Sequence, residues 1–409
     1  MKNKKIIAAT LAALLLSASL VSCSNNENTN DTGTNGNEHN EYSGENGTQD
    51  EVVDNSPVLS LQDIYTQIEA KVGKTDNDSL VVMTLDGYDI TYSEYRYYYI
   101  NYIKEFANYY GSDWDSNEEY LNMFDEYFNQ AIKMNGLVSN TAAEKNIALT
   151  QTEFDTNVTA VYDMITEQFG EESDTILNDT YAITPFYMMS NEAIYNLYLK
   201  LYDSFYLEGG EKNEDIKQQT LDFYNENNYI RAKHILISFP ENEDGSEVTE
   251  EQKEETRAKA QEVLDKANAG EDFDALIEEY NEDPGMETYT TGYYFGEGQM
   301  VEPFEEAAYS LENGQISELV ETDYGYHIIK RLPLDDADIS SSEKFTELAY
   351  NDIDAFFADL IENTECVKVD NFDELVQPII DEGNAYMEDL RVQEQAAGAS
   401  DTGTETVEE

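Results

Sequence analysis

Apolar positions along this chain recur with two periods, and the switch between them marks its organisation. Between Thr91 and Phe205 the period is helical. Thr91, followed by Glu94, reads as a capping box, and Tyr95, Tyr99, Tyr102, Ile103, Phe106 and Tyr110 then recur every three or four residues. Tyr120, Phe124, Tyr127, Phe128 and Ile132 predict a second helix. Thr150 and Glu153 open a third, carrying Val158, Val161, Ile165 and Phe169. Thr184-Pro185 opens a fourth, with Pro at its favoured first position, and Gly209-Gly210 lies beyond its last apolar residue. Ahead of these, Leu80-Val-Val-Met-Thr84 and Ile90 flank an Asp86-Gly87 turn, as in a short hairpin. The Tyr and Phe stripes are either core or grooves for a client chain, and helical spacing favours core.

From Tyr229 the pattern changes. Arg231-Ala-Lys-His234-Ile-Leu-Ile-Ser238 and His327-Ile-Ile-Lys-Arg331 read as strands, each with one His among β-branched residues. Thr249 to Ala269 is a charged helix with Ala258, Ala260, Val263, Leu264 and Ala267 on its apolar side. Phe273, Leu276 and Tyr280 continue on a second helix, which Asp283-Pro-Gly285 breaks. Val301 to Leu311 is a third, stopped at Asn313-Gly314, and Leu319 to Thr322 is a further strand. An internal strand is expected at Gly292 to Phe295. After Pro333, Phe345, Leu348, Ile353, Phe356, Phe357 and Leu360 make an amphipathic helix, and a last helix covers Phe372 to Leu390.

Charge narrows the classes of partner. The chain of 409 residues holds 87 acidic and 23 basic side chains, a net charge of −64. Nothing here neutralises a phosphate backbone, so nucleic acid is excluded as a partner, and anionic lipid does not attract this surface. The same charge favours solubility and basic clients.

The first residues address the compartment. Lys2, Lys4 and Lys5 precede an apolar run, Ile6 to Leu20, that is too short for an ordinary span and reads as a signal-peptide core. Leu20-Val-Ser-Cys23 resembles a bacterial lipobox, which implies lipidation of Cys23 and a lipid anchor on the extracytoplasmic face of the cell membrane. The alternative is an ordinary signal peptide with a chance Cys. With Cys366 as the only other Cys, a lipidated Cys23 leaves no intrachain disulfide. Residues 24–58 are polar and read as a disordered tether, spanning roughly 30 Å as a flexible coil. Residues 393–409 read as a disordered acidic tail.

The candidate chemistry lies in the strand-rich stretch. Of three His, His39 sits in the polar tract and His234 and His327 sit in the two strands. Between them come Tyr280-Asn-Glu-Asp283, Gly298-Gln-Met300, Pro303-Phe304, Gly314-Gln-Ile-Ser317 and Gly325-Tyr-His327-Ile-Ile329. In this order the motifs resemble the parvulin type of peptidyl-prolyl cis/trans isomerase, over about a quarter of the chain. The resemblance implies an α+β fold for residues 229–334, a four-stranded antiparallel sheet with flanking helices, inserted in or appended to a mainly helical chaperone domain. By likeness to exported foldases, residues 59–228 form that domain and the helices of residues 335–392 pack back on it.

The resemblance also implies roles. Met300 and Phe304 floor the proline pocket. His234 and His327 are paired imidazoles, with Asp283 and Thr322 beside them, in an electrostatic rather than covalent catalyst. For each His a structural role in fixing the sheet stands beside the catalytic one. Asp283 before Pro-Gly also reads as a turn residue. The run Thr291 to Gly296 departs from the family's glycine-rich pattern, and its apolar pocket residue is Tyr293 or Tyr294. Tyr324 replaces a smaller residue and narrows the slot. Lys233 alone does not suffice to read a phosphate beside proline. No cofactor and no metal is implied. The expected partners are unfolded or partly folded exported proteins with X-Pro bonds. The rival reading is a holdase whose parvulin-like domain binds clients without catalysis. A solute-binding lipoprotein would show repeated βαβ patterns, which this chain lacks.

Overall fold

The computed structural model describes residues 54, 56–242, 246–334 and 337–401. Cys23, the signal peptide, nearly all of the tether and the last residues of the tail lie outside the described residues. The strands are β1 (Val58–Leu59), β2 (Val81–Leu85), β3 (Tyr88–Thr91), β4 (Leu149–Thr150), β5 (Ile230–Ser238), β6 (Tyr293–Phe295), β7 (Val320–Glu321), β8 (Gly325–Leu332) and β9 (Val367–Lys368). The chain divides into two units. One closes at Asp203 and resumes at Ile353, and the other is Ser204–Asp352.

In the first unit, β2 and β3 form the expected hairpin. Asp86 and Gly87 both take positive φ, 46° and 86°, as the twist-matching two-residue turn requires. β9 pairs with the other side of β2, giving the order β3-β2-β9. The helix Tyr92–Tyr110 buries Tyr95, Tyr98, Tyr102, Ile103 and Phe106. Tyr95 meets Phe128 and Phe372 edge to face, with centroids 5.0 and 5.6 Å apart. Tyr95, Tyr102, Phe106, Phe124 and Phe128 of these stripes are therefore core, Tyr99, Tyr120 and Tyr127 are half-buried, and Tyr110 is exposed. Helix Phe372–Asp401 packs on the same helix, and Arg96 holds Glu382 through two bonds of 2.7 Å. It runs on past Leu390, where the sequence reading ends it.

The capping box expected at Thr91 is only half formed. The Thr91 hydroxyl accepts from the Glu94 N–H at 3.3 Å, but the Glu94 carboxyl does not return to the cap. It is buried, and it accepts from Asn135 Nδ2 at 3.0 Å and from the Tyr88 hydroxyl. Burial, opposed by those hydrogen bonds, pushes the Glu94 carboxyl up to about 8. Helix Leu61–Val72 was not expected. Its Ser60–Asp63 capping box is complete, but it buries only Ile64 and Ile68.

In the second unit, β6-β5-β8-β7 form one antiparallel sheet. Strand alternation divides its residues between two faces. Ile235, Ile237, Tyr326 and Ile328 pack against helices Glu250–Asn268 and Phe273–Tyr280 through Val263, Leu264, Phe273 and Leu276. On the first of these helices Ala260, Val263, Leu264 and Ala267 are buried as expected, but Ala258 is exposed. Ile230, Ala232, Phe295 and Ile329 face the other way, onto Phe304 and Ala308 of helix Glu302–Ser310. The first face carries a conventional core. The second carries the site.

Candidate active site

The register brings the two imidazoles together. β5 and β8 pair His234 with Ile329 and Leu236 with His327. His234 and His327 are therefore diagonal neighbours on one face, the separation at which long side chains on adjacent strands meet. Their Nδ1 atoms lie 3.4 Å apart. Both rings are buried, and the edge of Phe304 closes on each, with centroids 5.2 and 5.4 Å away.

Asp283 reaches His234 because its loop completes the free edge of β5. β6 pairs with β5 only as far as Ala232. Beyond it, the Leu236 N–H donates to Asn281 Oδ1 at 3.0 Å, and the Glu282 N–H donates to the Leu236 carbonyl at 2.9 Å. Asn281 also donates to the Asp283 carbonyl at 2.7 Å. Asp283 Oδ2 then accepts from His234 Nε2 at 2.7 Å and from the Tyr293 hydroxyl at 3.1 Å, and Oδ1 accepts from the Gly285 N–H at 3.1 Å. A Cβ at Gly285 would collide with the Tyr293 hydroxyl, so glycine is needed for this approach.

On the other side, Thr322 Oγ1 lies 2.9 Å from His327 Nε2 and accepts from the Tyr324 N–H at 3.2 Å. Thr322 sits in the turn between β7 and β8, closed by its own N–H to the Gly325 carbonyl at 2.9 Å. Gly325 has φ 152° with a β5 carbonyl against the place a Cβ would take.

A carboxylate only accepts, so His234 Nε2 donates to Asp283. The remaining links, His234 Nδ1 to His327 Nδ1 and His327 Nε2 to Thr322 Oγ1, each need one donor and one acceptor, and the chain Thr322, His327, His234, Asp283 is satisfied with the protons running either way. Burial first, then the neighbouring His234, pushes the His327 imidazole down to about 4. The His234 hydrogen bond first, with help from the Gly285 N–H, holds the Asp283 carboxyl at about 2. Burial and the Asp283 charge raise Tyr293, which keeps its proton.

An apolar slot adjoins this chain. Met300, Phe304, Tyr293, His234 and His327 share a cleft of about 910 Å³, with Tyr324 and Phe239 also lining it. Met300 is held by a side chain the sequence reading missed. Glu305, on the first turn of its helix, accepts from the Gly298 N–H at 2.8 Å and the Met300 N–H at 3.3 Å. The signal was present in Gly298-Gln-Met-Val-Glu-Pro-Phe-Glu305, a carboxylate one turn into a helix behind unpaired N–H groups. The open choice between Tyr293 and Tyr294 is settled by alternation. Tyr293 opposes Ala232 on the site face, whereas Tyr294 opposes Arg231 and stacks on Tyr224 at 5.0 Å. Of the six residues expected in the site, His234, Asp283, Met300, Phe304 and His327 line one cleft, and Thr322 is buried behind it, against His327.

Comparison with known proteins agrees with this geometry. Residues 214–332 match the model of the PPIC-type PPIase domain. That stretch is a parvulin-type peptidyl-prolyl cis/trans isomerase domain. The foldase protein PrsA of Halalkalibacterium halodurans is 31% identical over 225 residues, 52% of this chain and 60% of that protein. PrsA of Geobacillus kaustophilus is 44% identical over 124 residues, 29% of this chain and 37% of its own length. Over these stretches the chain is similar to PrsA foldases, and it spans 60% or less of the length of these curated relatives. The crystal structure of PrsA from Bacillus subtilis aligns over 75% of this chain and 93% of its own, at 23% identity and a TM-score of 0.29.

Proposed function

We propose that this protein isomerises X-Pro bonds in exported proteins and assists their folding, anchored by lipid on Cys23 at the extracytoplasmic face of the cell membrane. The observation that carries the reading is the hydrogen-bond chain from Thr322 to Asp283, whose His327, His234 and Asp283 line an apolar cleft together with Met300 and Phe304.

The reaction needs no nucleophile. Planar amide resonance sets a barrier of about 18–20 kcal/mol, and it places negative charge on the carbonyl oxygen. Catalysis requires tighter holding of the twisted amide than of either planar isomer. An apolar slot grips the proline ring. Its low polarity disfavours the dipolar planar form relative to the twisted one. The Asp283 carboxylate, acting through His234, adds a negative field that opposes charge on the carbonyl oxygen. Burial keeps the His327 imidazole neutral near pH 7, so it does not stabilise the planar resonance form with a cation.

The isomerase reading is tested by cis-to-trans exchange of X-Pro peptides with wild type and Met300→Ala. Folded wild type that accelerates no peptide, yet suppresses aggregation of an unfolded client, favours the holdase. The anchor is tested separately. Fatty-acid labelling of the expressed chain should be lost in Cys23→Ala, and persistence of label in that variant overturns it.

A further inference from the structure

The mouth of the cleft is acidic and lacks a matching cation. Glu241, Glu247, Glu282 and Asp323 line it, and all four are exposed. No Lys or Arg is among the described residues that line it. The nearby cations are already engaged, Lys253 on a ring of the cleft lining itself. Lys233 pairs with Asp274 at 2.8 Å, and Lys253 lies over the Phe239 ring and 3.6 Å from Glu321. Glu282 accepts from the Ser238 N–H at 2.7 Å, which fixes its direction at the rim. Beside Asp323, the Tyr324 ring is 63% exposed. An open aromatic face next to a carboxylate is a receptor for an ammonium or guanidinium group.

We infer that this rim selects proline segments with Lys or Arg next to the proline and rejects acidic or phosphorylated ones. The inference rests on the isomerase reading for its substrate. It differs from the general attraction of an acidic protein for basic clients, because it assigns the preference to particular side chains at the slot. Exposed ion pairs are individually weak, but several facing one cation, with water partly displaced from the cleft, discriminate by roughly tenfold at low salt. Screening then reduces the ratio within a Debye length of about 8 Å at physiological ionic strength.

The test uses the full chain and peptides that differ only in the residue before proline, Lys, Ala or Glu. Exchange rates and affinities are both read by NMR, at low and high salt. Lys-Pro is expected to exceed Glu-Pro by roughly tenfold in kcat/KM, with the ratio shrinking at high salt. In the triple variant Glu241→Gln, Glu247→Gln, Asp323→Asn the ratio should fall toward one. In Glu255→Gln, Glu278→Gln, Glu312→Gln, which removes equal charge outside the cleft, it should persist. Equal rates on all peptides would overturn the inference and leave the isomerase reading standing. An equal loss of preference in both triple variants would assign the effect to net charge and also overturn it. If no peptide is isomerised, the isomerase reading fails, and the affinities decide: equal Kd for the Lys and Glu peptides overturns the rim's selectivity.

Discussion

His234 Nε2 and Asp283 Oδ2 lie 2.7 Å apart, joining the central strand of the sheet to the Asp-Pro-Gly turn. This bond fixes a proton on His234 Nε2. Asp283→Asn keeps the size of the side chain but removes the carboxylate and its field. Isomerase kcat/KM should fall on the order of tenfold or more in a protein that remains folded. Circular dichroism with peptide exchange assays checks both parts.

The same carboxylate gives a pH signature. Its folded pKa, about 2, is below the ordinary value of 3.8. Asp283 therefore contributes stability that is complete above pH ~3.8 and lost as pH falls toward ~2. Amide exchange of Ile235 and Ile328 in wild type should accelerate across that window more than in Asp283→Asn. Identical profiles would contradict a stabilising bond between the Asp283 carboxylate and His234.

His327 titrates in a different window. Its pKa is lowered from 6.5 to about 4, so the unfolded chain binds the extra proton first. Stability from a neutral His327 is complete above pH ~6.5 and declines as pH falls toward ~4. Isomerase activity should stay level from neutral pH down to pH ~5 and drop near 4. NMR titration of the imidazole Cε1 proton measures this directly.

Met300 and Phe304 separate pocket from core. Phe304 is 3% exposed, and Phe304→Ala should cost roughly 3–5 kcal/mol in stability along with activity. Met300 is half-buried at the cleft wall, and Met300→Ala should cost at most about 2 kcal/mol while removing most of the catalysis. Thermal melts run beside exchange assays distinguish the two.

Glu94 in the first unit predicts the opposite pH trend. Its folded pKa is raised to about 8 from 4.5, so stability falls as pH rises between those values. Trp114 is the only Trp of the chain, lies in this unit and is 4% exposed, so its fluorescence follows this unit alone. Resistance to denaturant, read at Trp114, should fall from pH 5 to pH 9 in wild type and much less in Glu94→Gln.

The legible parts of the sequence were those where composition and period agreed. Two lone His in β-branched runs marked β5 and β8, and Met300 and Phe304 stood out behind Gly298-Gln299. Asp283 was readable only through the order of family motifs, because Asp-Pro-Gly is equally a turn. The Glu305 clamp and the Asn281 bridge were missed because their partners are backbone N–H groups. β9 joins β2 across the whole intervening chain, and no local period signals such a pairing. Thr91 and Glu94 have the spacing of a capping box, but spacing does not tell whether the glutamate is exposed to reach back or buried under Asn135 and Tyr88.

The most direct measurement is magnetisation exchange between cis and trans forms of an Ala-Pro peptide, with wild type and folded Met300→Ala compared at equal concentration. Catalysis by wild type that is largely lost in Met300→Ala is the predicted result. Equal rates with both proteins, or no acceleration by folded wild type, would contradict the assignment of this cleft as a proline isomerase site.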